Sequence, residues 1–183
     1  MPNNTDNAIK AAIRSMNELI VPSLDPENPL AKEQAALVIQ LLEFLRVRVP
    51  YLQQRDRAEL RIYHGIAEQL ADEFGVVLPE QADSVSGSLL EAQQVINDPA
   101  ALPVDLTRLA DELRTAISDL VRASAQAPES LRQKVESTVV RGSRLVLDLQ
   151  RSWFMPTGMV SSDDSLPDLE SLLREATATH LRS

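Results

Sequence analysis

The chain's 183 residues suffice for one domain with a sizeable core, and a composition 44% hydrophobic and 25% charged excludes extended disorder. The formal charge of −9, from 27 acidic and 18 basic side chains, repels phosphate backbones and argues against nucleic acid as a partner. With no cysteine, disulfides, thiolate metal sites and a cysteine nucleophile are excluded, which fits a reducing cytoplasm.

From Thr5 to Ile20 the apolar residues Ile9, Ala12, Ile13, Met16, Leu19 and Ile20 recur at helical spacing and predict an amphipathic helix. Three prolines make 22–29 a loop. Asn28 followed by Pro29 is a helix start, since proline at the first helical position loses no hydrogen bond.

The longest helical pattern follows, from Leu30 to Phe74. On a wheel of about 100° per residue, Ala31, Ala35, Leu42, Leu45, Val49 and Leu52 lie within roughly 60° of Val38, and Leu41, Ile39 and Leu37 widen the apolar arc to about 200°. That is wider than the stripe of a surface helix and predicts neighbours on more than one side.

Pro50 interrupts this run, because it lacks an N–H and its ring clashes with the carbonyl of Arg46. Two courses compete. If the helix bends and continues, Asp56, Glu59 and Tyr63 share a stripe with Leu52, Ile66, Leu70 and Phe74, and two core-facing carboxylates need partners or shifted pKa values. If it stops near Gln54, Asp56 becomes the N-cap of a new helix with Glu59 completing a capping box. The cap is the preferred expectation, since caps are common and buried acidic pairs rare.

Gly75 reads as a helix stop and 76–84 as a connection containing Pro79. Val85, Leu89, Ala92 and Ile96 form the next stripe, with Ser88 and Glu91 as an alternative helix start. After the break at Pro99 and Pro103, the residues Leu106, Leu109, Leu113, Ala116, Ile117, Leu120 and Val121 make the clearest amphipathic helix, ending near Ala127. Pro128 restarts the chain, and Val135, Val139, Gly142, Val146, Leu149 and Trp153 form a heptad-like seam. Gly142 costs about 1 kcal/mol relative to alanine in a helix. It reads either as a close approach of a neighbouring backbone or as a plain weak point. A polar linker, 156–165, then leads to a leucine-rich segment, 166–181, too short to be stable alone.

The chemistry narrows by elimination. Neither His64 nor His180 has glutamate three positions before it, which excludes a carboxylate-bridged di-iron bundle, and two histidines cannot make a His-rich zinc site. His64 falls beside Arg57, Arg61 and Glu68 on the wheel and is expected at the surface. Five scattered glycines form no phosphate cradle. Magnesium would need several carboxylates, and the candidates are Asp56 with Glu59, Glu80 with Asp83, and Asp163, Asp164 and Asp168. The last run reads better as a helix start at Ser165 capped by Asp168. Lys134, Arg141, Arg144 and Arg151 share one face, which is expected to be solvated or to meet the acidic half of another subunit. A signal peptide and a membrane partner are not expected, because no run approaches about 18 apolar residues. Fifteen of the eighteen basic residues are arginine, a composition of GC-rich bacterial genomes.

The expected architecture is an all-α bundle of five to seven helices around a Pro50-kinked or broken central helix. It covers 1–155, with 156–165 as a flexible linker and 166–183 as a docking helix on the same domain or on a partner subunit. The leading expectation for function is a non-enzymatic structural or interaction protein that forms homo-oligomers, a dimer first. The second is a module binding a small apolar or amphipathic ligand between helices, with Arg55, Asp56, Glu59 and Tyr63 as polar anchors. The third is a magnesium-dependent hydrolase or transferase at a carboxylate cluster. No cofactor and no catalytic residue is implied.

Overall fold

Proline and asparagine set where several helices begin. The structure is a computed structural model and describes residues 4–75, 77–158 and 166–178. Its first helix, α1 (Asn4–Ser15), runs on through a π-helical turn (Met16–Ile20) and a 3-10 turn (Val21–Ser23). Asn28 caps α2 (Pro29–Arg48), its side-chain oxygen accepting from the Ala31 N–H at 3.0 Å, with Pro29 at the first helical position. Proline likewise opens α4 (Pro79–Asn97) and α5 (Pro103–Ser124), and Pro128 directly precedes α6 (Glu129–Phe154). The last helix is α7 (Leu169–Ala178). No strand occurs among the described residues, and the protein is an all-α helical bundle.

The chain does not stop at Pro50. It tightens into a 3-10 turn, Val49–Tyr51, in which the Leu52 N–H donates to the Val49 carbonyl, and resumes as α3 (Leu52–Gly75), giving one joined helix of 47 residues. The preferred expectation of an N-cap at Asp56 is therefore corrected. The i to i+3 bonding of the turn carries the helix past proline without a new N-terminus, so no orphan N–H awaits a cap. Asp56 is instead 9% exposed within α3.

The start of α4 also differs from expectation. Pro79 opens α4 where a connection was expected, so Glu80 and Asp83 sit exposed in its first turns, and Ser88 with Glu91 lies inside the helix. In α7, Asp168 is the cap as expected, accepting from the backbone N–H of Ser171 at 3.0 Å and from its hydroxyl at 2.7 Å, with the helix itself beginning at Leu169. Ser165, Asp163, Asp164 and His180 lie outside the described residues.

Packing divides the chain into two units, Met1–Leu52 with Trp153–Ser162, and Gln53–Ser152 with Asp163–Ser183. The second unit holds a continuous core: Leu60, Leu70 and Phe74 from α3, Val85 and Ile96 from α4, Leu106, Leu109 and Leu113 from α5, and Leu131 and Val135 from α6. α7 belongs to this unit and buries Leu169 and Leu173. Gly142 is buried too, and a Cβ there would collide with Cδ1 and Cγ1 of Ile66. The expected approach of a neighbouring backbone is corrected: the atoms that come close at Gly142 are those of the Ile66 side chain.

In the first unit α1 packs on α2, yet α1 buries no residue and α2 buries only Ala35 and Phe44. Phe44 meets Trp153 edge-on at 6.4 Å and stacks on Phe154 at 5.8 Å. The Arg48 Nε–H donates to the Trp153 carbonyl at 2.8 Å, and its guanidinium lies 5.5 Å from the indole centroid. Gln40 Nε2 donates to the Thr157 carbonyl at 2.7 Å. No described helix is long and apolar enough to cross a membrane.

Candidate functional site

The polar side chains of the first turns of α3 fall into two groups. One faces the end of α4. Gln53 Nε2 donates to the Ala101 carbonyl at 3.0 Å, and one turn on, Arg57 Nη1 donates to the Val95 carbonyl at 3.1 Å and to that of Ile96. A helix leaves its last carbonyls without intrahelical donors, and Arg57 meets that need with a positive charge at the negative end of the helix dipole. Arg61, one turn further along, is held below the usual guanidinium range, first by burial and then by the neighbouring charge of Arg57.

His64 is only 3% exposed, so its expected surface position is corrected. A wheel identifies its neighbours as Arg57 and Arg61. It cannot show that the fold buries that side of α3. Arg57 was equally missed as a structural anchor, because its partners are backbone carbonyls about forty residues away, which leave no trace in side-chain patterning.

The second group contains the four expected site residues. Arg55 Nη2 lies 3.0 Å from Glu59 Oε2, and Arg55 Nη1 lies 3.4 Å from Asp56 Oδ1. The guanidinium is thus shared by two carboxylates. Burial pushes the Asp56 carboxyl above its usual range, and the Arg55 charge partly opposes that shift. Burial also raises the Tyr63 phenol, with the Glu59 carboxylate adding to the effect, while Arg114 of α5 pulls the other way. The arrangement is a half-buried ion-pair trio beside a phenol. It offers a polar anchor in an apolar setting.

The magnesium expectation required at least three converging carboxylates. Among the described residues no group of three or more histidine, aspartate or glutamate side chains converges closely enough to hold an ion. Asp168 is engaged by Ser171, and Glu80 and Asp83 are exposed on α4.

The second candidate is a surface. Leu30, Leu37, Val38, Leu41, Leu45 and Leu52 are between 37% and 63% exposed, although the sequence predicted neighbours on more than one side of this helix. Those neighbours are α1 on one side and the aromatic pair Trp153 and Phe154 at Phe44. The leucine row remains open. The seam on α6, by contrast, is used up internally: Val135, Gly142, Val146, Leu149 and Trp153 are all buried, which removes it as a ground for association. Arg141, on the basic face of the same helix, reaches Gln69 of α3 at 2.7 Å.

No family model, curated protein or solved structure matches this chain, so the reading of its surface rests on its own residues.

Proposed function

We propose that the protein is a non-enzymatic, self-associating structural or interaction protein of the bacterial cytoplasm, a homodimer, whose docking surface is the open face of α2. The observation that carries this reading is the row of half-exposed leucines on a helix that buries only Ala35 and Phe44. The largest apolar patch on a monomer is about 300–600 Å² and is often the functional surface, and this row lies in the upper part of that range. The well-packed second unit provides a stable body, and the first unit provides the adhesive face.

The test is the mass in solution. Light scattering across a dilution series should give a dimer at micromolar concentration, and Leu41→Glu should return it to a monomer without loss of helicity. A wild-type chain that stays monomeric up to high micromolar concentration would sink the proposal.

A second reading keeps one specific support. The continuous course of α3 takes Asp56 inside beside Arg55, Glu59 and Tyr63, which is the anchor that a small amphipathic ligand between helices would use. Native mass spectrometry of the gently purified protein should show a reproducible added mass, lost in Asp56→Asn, if that reading is correct. A clean polypeptide mass leaves the trio a structural ion-pair network.

A further inference from the structure

We infer that the occupant of the open face of α2 is a second copy of this chain, running antiparallel, with the two-fold axis passing at Leu41. This rests on the self-association reading above and adds the partner's identity and its orientation.

The exposed leucines of α2 and the first residue of α3 stand at 30, 37, 41, 45 and 52. Counted from Leu41, they fall four and eleven residues away on either side. The polar positions of the row, Gln34 and Arg48, fall seven residues away on either side. A closed two-fold dimer uses the same patch on both copies, so a residue ahead of the axis meets the residue equally far behind it. Reversal about Leu41 therefore sets Leu37 against Leu45 and Leu30 against Leu52, and Leu41 meets its own copy, while Arg48 keeps its guanidinium on Trp153. The 3-10 turn rotates Leu52 by about 60° relative to a pure α-helix and leaves it at the edge of the row. Val38 flanks the centre.

The area is sufficient. A fully exposed leucine or valine with its backbone presents on the order of 150–200 Å², so the six half-exposed residues leave about 430–580 Å² of largely apolar surface. A standard interface takes about 800 Å² per partner, of which somewhat over half, roughly 450 Å², is apolar. Nothing beyond this one face is required.

Charge selects the direction. At the N-terminal end of α2, Asp25, Glu27 and Glu33 outnumber Lys32, while towards its C-terminal end Arg46 pairs with Glu43 at 2.8 Å and Arg48, held on Trp153, is the net positive charge. Antiparallel pairing lays the acidic end of each copy beside the basic end of the other. A parallel pair would put Arg48 beside Arg48 and the acidic ends together, which like-charge repulsion disfavours.

The chain has no cysteine, so single cysteines on this exposed row report geometry without background. Leu41→Cys, Leu37→Cys and Leu45→Cys would be made separately, checked for unchanged helicity and solution mass, and oxidised mildly. Leu41→Cys should form a covalent dimer in high yield. Leu37→Cys alone should give at least tenfold less, because its own copy lies about 12 Å away along the axis, beyond the roughly 7 Å between Cα atoms that a disulfide spans. Mixing Leu37→Cys with Leu45→Cys should restore the crosslink. If Leu37→Cys crosslinks alone as well as Leu41→Cys does, the pairing is parallel and the inference fails while self-association stands. A dimeric mass with no crosslink at residue 41 places the interface elsewhere and also overturns it. A monomeric mass overturns both this inference and the self-association reading.

Discussion

The two units carry the same kind of amphipathic helix and put it to different use. In the second, Leu106, Leu109 and Leu113 of α5 are fully buried among α3, α4 and α6. In the first, Leu37, Leu41 and Leu45 of α2 also recur at one-turn spacing, yet they remain 37–56% exposed. Spacing says that a face is apolar and leaves open what covers it. The difference between the units is the number of helices available to close round each stripe.

The sharpest test of this contrast is a matched pair of truncations. Leu113→Ala should destabilise the protein by about 2–5 kcal/mol, the range for deleting a buried leucine side chain. Leu41→Ala, measured by denaturant titration of the dilute protein, should shift stability by no more than about 0.5 kcal/mol, as for an ordinary surface position. Equal losses would mean that the α2 row is already a covered core, and the contrast would collapse.

A smaller effect is expected at Gly142. By helix propensity alone Gly142→Ala should stabilise by about 1 kcal/mol. Against Ile66 the added Cβ should instead destabilise by about 1–3 kcal/mol, because a β-branched side chain in a packed core has little room to move. Combining it with Ile66→Ala should recover part of that loss, beyond what adding the two single effects would allow. An unchanged or raised melting temperature for Gly142→Ala would show that α3 and α6 are not packed closely at this point.

The smallest effect is one of pH. Burial raises the Asp56 carboxyl above its ordinary 3.8, so the folded state holds that proton more tightly than the unfolded chain does. Its stabilising contribution is complete below the unfolded value and disappears as pH rises through the folded one. Relative to Asp56→Asn, the wild-type protein should therefore lose stability as pH rises from about 4. Parallel stability curves would show that Arg55 fully offsets the burial, and that the trio resembles a solvated surface pair.

Local chemistry made much of the fold legible. Asn28 with Pro29, Gly75, the stripe on α5 and the seam on α6 each mark an element from short-range rules of capping, glycine stops and apolar spacing. The candidate site was only half legible. Arg55, Asp56, Glu59 and Tyr63 were placed together on the condition that the helix continued past Pro50, and the cap reading was preferred because proline is usually a boundary. The 3-10 turn removed that condition.

What the sequence by itself determined is the all-α class, most helix boundaries and which faces are apolar, because these follow from interactions within a few residues along the chain. Tertiary structure decided which of those faces are covered. It took His64 inside and Arg61 partly so, set Arg57 on the carbonyls of Val95 and Ile96, filled the space at Gly142 with Ile66, and left the leucines of α2 open. Burial depends on elements far apart in sequence arriving at one place, and no local periodicity encodes that arrival.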